Sequence, residues 1–322
     1  MYFVNAIEKL NQQLAIGLIW SKKKLNLKKY YQYFLIMKGD RRWLLMFIIA
    51  RSPLGRTLGR LAYCDQPIVK DQNYERNREN SIFQDLKVEI AVDSIKKDGY
   101  YLGLQLPEQV LKEILAYANI ANISIDGEEG FEFKYSDKNE ATKQYNREIL
   151  TGNYLAVNSE CLAIQKLVND PKLREIATKY LGKEPMLVRS QMSWTFIGSS
   201  QAYAQKGEIG SPMVLFHYDL DDYHTLKFFF YLTDIDSSSG SHRCVKGSHK
   251  KRKLLHYIFR SQSDQAIANY YGAESIVDIC GQAGFGFAED PFCFHRGSPP
   301  GTAPRLIFQL EFALNNYSIW KL

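Results

Sequence analysis

Three positions in the second half of the chain carry side chains suited to holding a divalent metal. His217-Tyr218-Asp219 is an H-x-D pair. On a strand, residues i and i+2 project to one face, so this imidazole and carboxylate point the same way, about 6–7 Å apart along the backbone before they converge. A third ligand is offered by His295, in the stretch DPFCFHRGSPPGTAPRLIFQLEF that runs from Asp290 to Phe312. There a Gly/Pro-rich turn follows the histidine, and Arg305 opens an apolar strand.

Two imidazoles and one carboxylate with open positions form the facial triad of non-haem Fe(II) sites. Neutral imidazoles hold the ion without over-neutralising it, the carboxylate supplies one negative charge, and the remaining positions are free for a chelating cosubstrate and O₂. An arginine ten residues beyond the last histidine is suited to a bidentate pair with a cosubstrate carboxylate.

Positioning these groups calls for strands. Residues 226–232, LKFFFYL, are an almost continuous apolar run, as in a strand buried on both faces. Strands are also expected over 187–197, in RCVKG between His242 and His249, and over 276–280 and 284–288. In the closing strand Phe308, Leu310 and Phe312 alternate. Residues 234–240, DIDSSSG, are turn chemistry. Further upstream, 88–92 and 100–106 are strand-like, and Pro107 opens a helix with Val110, Leu111, Ile114, Leu115 and Ala118 on one face. The polar stretch 124–150 is expected to be a loop near the mouth of the site. Asn158 or Ser159 is a candidate cap for a helix running toward Val168, and Pro171–Leu181 reads as a helix ended by Gly182. Helices are also expected within KKRKLLHYIFRS and over Asp264–Tyr271. The Gly/Ser loop 198–213 is long enough to be a substrate-facing lid.

Taken in order, HYD at 217–219, LKFFFYLTDID, SGSHRCVKGSHK and HRGSPPGTAPRLIFQLEF resemble the phytanoyl-CoA dioxygenase-like family of Fe(II)/2-oxoglutarate oxygenases. IKKDGYYLGLQLPEQVLKEILAYA at 95–118 is similar to that family's opening strand and helix, so the likeness covers roughly residues 86–322. The resemblance implies an α+β, β-rich fold: a jelly-roll (double-stranded β-helix, cupin-like) core with flanking helices. It implies Fe(II) on His217, Asp219 and His295, and 2-oxoglutarate clamped by Arg305 through its distal carboxylate. Gln191 matches a cosubstrate contact, and Tyr223 or Tyr231 an aromatic beside it. Relatives that halogenate lack the carboxylate, so Asp219 favours hydroxylation, with release of succinate and CO₂. One departure is Gly297, where many relatives carry Ser or Thr; Ser298 or Thr302 is the candidate substitute. His224, His249 and His256 have no ligand role in the pattern and are expected to be structural.

Composition bounds the rest. Tyr and Phe number 21 and 18, favouring a β-rich interior. Five scattered cysteines without a C-x-x-C read as reduced thiols of a cytoplasmic protein, not as a disulfide framework or zinc site. The first 62 residues hold twelve Lys/Arg against Glu8 and Asp40, whereas the whole chain is +6. Basic character therefore belongs to the N-terminal segment. There, basic and apolar blocks alternate without a signal-peptide pattern, and the run Trp43–Ala50 is far shorter than the roughly 18–20 residues of a membrane span. Residues 1–85 are expected to be a basic, aromatic-rich helical extension and linker, with 65–86 as a surface strap, and 86–322 the dioxygenase domain. The extension either packs on the core or lies on anionic lipid, with Trp20, Tyr30, Tyr31, Trp43 and Phe47 at headgroup level. No nucleic-acid motif accompanies the charge.

The expected activity is thus a 2-oxoglutarate-dependent Fe(II) hydroxylase using O₂ on a small molecule, with an amphiphilic or anionic lipid- or glycan-type substrate favoured by the basic N-terminus. The basic run Lys250–Lys253 is a further candidate contact for an anionic substrate. Desaturation or epimerisation, a cupin-like sugar-modifying protein and a non-catalytic metal-binding scaffold stand as alternatives.

Overall fold

Apolar spacing decides where helices and strands fall. The computed structural model describes residues 41–64, 77–198, 202–203 and 215–318. The basic blocks before Arg41, the strap over 65–76 and, apart from Ala202 and Tyr203, the expected lid over 199–213 lie outside the described residues. Helices α1 (Arg41–Ile49) and α2 (Pro53–Cys64) come first. Residues 88–92, expected to be a strand, instead open helix α3 (Val88–Asp98). Its buried Val88, Ala91, Val92 and Ile95 recur at i, i+3, i+4 and i+7, a helical stripe that outweighs the β preference of the valines. Gly99, at φ 92°, closes α3 in the left-handed conformation, and strand β1 (Tyr100–Gln105) follows. Helix α4 (Glu108–Ile120) then buries Val110, Ile114 and Ala118.

The polar stretch 124–150 is not one loop. It continues β2 (Ile123–Ile125) into β3 (Glu132–Phe133) and helix α5 (Lys138–Gln144), and β4 (Thr151–Tyr154) comes next. Ile123, Ile125 and Phe133 are buried and anchor short edge strands whose other residues are polar. Neither Asn158 nor Ser159 caps the following helices, α6 (Val157–Glu160) and α7 (Leu162–Val168). The Asn158 Oδ1 accepts from Ser190 at 2.6 Å, and Ser159 Oγ donates to the Ala156 carbonyl at 3.0 Å. Helix α8 (Pro171–Leu181) starts on Asp170, whose carboxylate accepts from the Lys172 and Leu173 amides, and ends at Gly182. Asp170 also accepts from Ser81, which is buried with Phe83 and Leu86, so the end of the expected surface strap is anchored in the core through these three side chains.

The remaining elements are β5 (Met186–Thr195), β6 (Thr225–Tyr231), β7 (His242–Val245), α9 (Leu254–Ile258), α10 (Asp264–Tyr271), β8 (Ile276–Ile279), β9 (Phe285–Glu289), β10 (His295–Gly297) and β11 (Arg305–Ala313). Eight strands form one sheet in the order β1-β9-β6-β11-β5-β4-β2-β3, and three form another, β10-β7-β8. Every pairing is antiparallel. All seven residues of β6 are buried, because both faces of the large sheet are covered. Phe228, Phe230, Phe308 and Phe312 turn to the helical side and join the apolar residues of α3, α4 and α8. Phe229, Tyr231, Phe287 and Ile307 turn the other way and pack against Cys244 and Ile279 of the small sheet.

The N-terminal helices rest on a third cluster. Met46 of α1 and Ala50 just after it are buried with Phe216, Tyr218, Phe292 and Phe294. Helix α2 turns an arginine inward: Arg56, 5% exposed, donates Nε to the Tyr223 carbonyl at 3.0 Å, lies 3.9 Å from the Asp290 carboxylate and stacks over Phe292 at 3.1 Å. No described helix is long and apolar enough to cross a membrane.

The two faces of α2 should respond oppositely to substitution. Arg56→Ala, which leaves Asp290 buried with less of its counter-charge, is expected to cost about 3 kcal/mol in urea unfolding. Leu58→Ser on the outer face is expected to cost under about 0.5 kcal/mol. Equal costs would show that α2 is not held through its arginines.

Candidate metal centre

The H-x-D stretch and the third histidine are joined by their backbones before their side chains meet. His217 N–H donates to the His295 carbonyl at 2.9 Å, and His295 N–H to the His217 carbonyl at 2.8 Å. A reciprocal pair of this kind puts both side chains on one face of the ladder, and the ring centroids lie 4.6 Å apart. Two residues on, Asp219 N–H donates to the Pro291 carbonyl at 2.8 Å, which keeps the 217–219 stretch extended beside 291–295. Asp219 then points between the rings: its oxygens lie 3.7 Å from His217 Nε2 and 3.5 Å from His295 Nε2. Among the described residues these three form the one set of potential ligands whose atoms all lie within 4.8 Å of one another.

Each imidazole already uses its other nitrogen. His217 Nδ1 sits 3.2 Å from the Leu215 carbonyl and His295 Nδ1 3.0 Å from the Cys293 carbonyl. A backbone acceptor at Nδ1 fixes the tautomer that presents the Nε2 lone pair to a metal. The donor set therefore fits a facially bound divalent ion of the iron type.

The carboxylate is held by a buried cation. Lys227, from β6, places Nζ 2.6 Å from Asp219 Oδ2, 3.5 Å from Asp221 and 3.4 Å from Glu311 of β11. Burial disfavours the Lys227 ammonium, but Asp219 and Glu311 outweigh it and its pKa is raised. Burial likewise opposes ionisation of Asp219, and Lys227 more than reverses this, holding the carboxyl well below its usual range. Glu311, fully buried, is pushed up by burial to about 8 even beside Lys227. On the other flank Glu289 accepts from His242 Nε2 at 2.7 Å and lies 3.9 Å from His295 Nδ1. Burial lowers His217 to about 4, aided by the charge of His295. Burial works against His295 too, but Glu289 and Asp219 raise it to about 9.

Arg305 begins β11 on the same inward face. It is buried, donates Nη1 to the Gly240 carbonyl and Nη2 to Thr195 Oγ1 at 3.3 Å. Beside it, Ser298 N–H donates to the Ser241 carbonyl at 2.9 Å, and the hydroxyls of Ser241 and Ser298 are buried with no hydrogen-bond partner in the structure. A buried guanidinium next to two unsatisfied hydroxyls fits an anionic ligand such as a carboxylate. Thr302, the other candidate substitute at this end, instead meets Ser238 at 3.0 Å on the surface.

Of the remaining expected contacts, Tyr231 lies opposite Ile307 on the inward face, with its hydroxyl on the Ile279 carbonyl at 2.8 Å. Gln191 lies on the same face, opposite Gln309, and is bound by Asn153 and Arg189. Tyr223 is elsewhere: its ring lies against Gly59 of α2, where an added Cβ would fall 2.2 Å from it. His224 packs on Tyr180 at 4.7 Å, His249 on Cys293 at 3.3 Å, and the buried His256 edge-on to Phe294 at 5.4 Å, all apart from the ligand set.

Sequence reasoning missed Lys227, Glu289 and Glu311. Their signal was legible: each is a lone charge in an otherwise apolar strand, LKFFFYL, FGFAE and LIFQLEF. Charges are almost never fully buried unless paired, so three in adjacent buried strands announce a network.

No family model and no curated protein matches the chain. Solved structures similar to it include HygX from Streptomyces hygroscopicus with nickel and 2-oxoglutarate bound, at 15% identity and TM-score 0.49, over 71% of this chain and 87% of that one. The epimerase SnoN from nogalamycin biosynthesis, in complex with Fe3+, alpha ketoglutarate and nogalamycin RO, aligns at 14% identity and TM-score 0.45, over 70% and 82%. The carbocyclase SnoK from the same biosynthesis aligns at 15% and 0.43, over 72% and 86%.

Two outcomes follow from the charge arrangement. His295 carries a proton until well above neutrality and must shed it to ligate, so affinity for Co(II) should rise about tenfold per pH unit between roughly pH 6 and 8, with about one proton released. Titration calorimetry in buffers of different ionisation enthalpy measures this; a flat profile would mean that His295 is not a ligand. Separately, Lys227→Met strands the Asp219 charge and should cost about 3 kcal/mol in urea unfolding, whereas Glu311→Gln, which mimics the neutral carboxyl, should cost under about 1 kcal/mol.

Proposed function

We propose that this chain is an Fe(II)/2-oxoglutarate-dependent oxygenase of the phytanoyl-CoA dioxygenase-like kind. Its catalytic unit spans 86–322 on a jelly-roll core, onto which α1 and α2 of the 1–85 extension pack. The observation that carries this reading is the convergence of His217, Asp219 and His295 on one point, with Arg305 buried on the same side of the large sheet. When bound, iron and 2-oxoglutarate supply O₂-dependent oxidation of a C–H bond coupled to release of succinate and CO₂.

The chain's own residues do the rest. His217, Asp219 and His295 hold the ion, and Lys227 keeps Asp219 ionised and oriented by occupying one of its oxygens. Arg305, with Ser241 and Ser298, receives the distal carboxylate of the cosubstrate; Tyr231 and Gln191 line the approach on the same inward face. Phe229, Phe287 and Ile307 between the sheets exclude water from the reacting groups. The carboxylate at 219 favours hydroxylation of the substrate over halogenation. The substrate is a small organic molecule, with an amphiphilic lipid- or glycan-type compound favoured, in a cytoplasmic protein that touches membrane peripherally.

Anaerobic addition of Fe(II) and 2-oxoglutarate tests the cofactor assignment. A weak visible charge-transfer band is expected, abolished in His217→Ala. In Arg305→Ala the 2-oxoglutarate needed should rise at least about tenfold, as loss of one charge-assisted pair demands. Absence of the band in the unsubstituted protein, together with no succinate under O₂, would overturn the reading.

A further inference from the structure

Helix α2 is amphipathic inside out. Arg56 and Arg60 face the interior, where both donate to the Tyr223 carbonyl, at 3.0 and 3.2 Å, and both lie 3.9 Å from Asp290. Leu54, Leu58 and Leu61, at i, i+4 and i+7 on the opposite side, are 70%, 56% and 53% exposed. A helix that needed only to cover the core would be built the other way round.

Helix α9 repeats the arrangement. His256 is buried and Tyr257 packs on the cluster beneath α1, while Leu254, Leu255, Ile258 and the following Phe259 are all more than half exposed. The helices adjoin: Trp43 and Phe47 of α1 share that cluster with Tyr257, and the Arg260 guanidinium lies 5.5 Å from the Phe47 ring. Leu45 and Ile48 of α1 add to the exposed set. Single exposed leucines are ordinary on a protein surface, but nine large apolar residues exposed on or beside α1, α2 and α9 are the kind of surface that marks an interaction site.

Charge identifies what covers it. Arg42, Lys250, Lys251 and Lys253 are the exposed cations of these helices and the turn before α9, and neither 41–64 nor 250–260 holds a single Asp or Glu. A second copy of this chain would bring like charge against like. An anionic bilayer supplies both an apolar layer for the leucines and negative headgroups for the cations around them. We propose that the outer face of α1, α2 and α9 is a docking surface for an anionic lipid membrane, independent of the chemistry at the metal centre. The surface is joined to that centre by hydrogen bonds to its main chain: Gln262 N–H donates to the Phe216 carbonyl at 2.7 Å, and the Arg260 guanidinium donates Nη2 to the Tyr218 carbonyl at 2.8 Å, on either side of His217.

Flotation of the full chain with phosphatidylcholine vesicles, with and without about 30 mol% phosphatidylserine, tests the proposal. Co-flotation is expected with the anionic vesicles and not with the neutral ones. Leu58→Ser/Leu61→Ser and, separately, Leu254→Ser/Ile258→Ser should each lower the bound fraction at least fivefold, with thermal unfolding unchanged. The α9 pair is decisive, because it lies far in sequence from the basic blocks before Arg41. Single Leu58→Ser and Leu254→Ser variants serve if a pair perturbs folding. Failure of the full chain to float would overturn the proposal, as would undiminished flotation of the α9 variants. A concentration-dependent dimer dissolved by the same substitutions would overturn it in favour of a second copy.

Discussion

Two reciprocal main-chain hydrogen bonds between His217 and His295 are the constraint on which the centre depends. They join segments 78 residues apart in sequence, and they leave the imidazoles side by side without asking the side chains to find each other. A carboxylate delivered into that position is costly unless it is compensated, since an isolated buried charge loses far more hydration than a protein can replace. Lys227 provides the compensation from the neighbouring sheet, with its stem in the strand and its ammonium on Asp219.

The same logic extends across the inward face of the large sheet. Arg189, Glu311, Lys227 and Glu289 are cross-strand neighbours in four consecutive strands, so basic and acidic side chains alternate along one row. Glu289 continues the row to His242 and toward His295 in the small sheet. Asymmetric environments along this row separate the groups. Asp219 stays ionised beside a cation, Glu311 is pushed up to about 8, and His217 and His295 are driven apart to about 4 and about 9. Environment, not residue type, divides the roles.

Residues 290–295 connect this centre to the N-terminal helices. The Asp290 carboxylate accepts from the Phe292 amide at 2.9 Å and Tyr180 at 2.7 Å, and faces Arg56 and Arg60 of α2. Five residues later the same segment sets His295 beside His217 and Asp219. Helix α2 is therefore fastened through polar contacts near the site, which frees its leucines to face outward.

Much of the candidate site was legible because its residues are rare types at characteristic spacings. The H-x-D pair, a histidine before a Gly/Pro turn and an arginine at a strand start each carry a chemical reason in a few letters. Strand β6 and helix α8 were legible for the same local reason: an unbroken apolar run, and an Asp-Pro start with a Gly end. Other features depend on what lies across the fold. Val88–Val92 has β-preferring residues, and only burial against the sheet chose the helical stripe. Tyr223 has suitable spacing from His217 but faces Gly59. Lys227 is one letter in a hydrophobic run, and its partner Asp219 is set by strand packing. The sequence alone determined which atoms were available as ligands, because ligand chemistry resides in side-chain identity. The tertiary structure decided their protonation, their compensating charges and which face of α2 looks outward, because those depend on distance and dielectric, which no local pattern encodes.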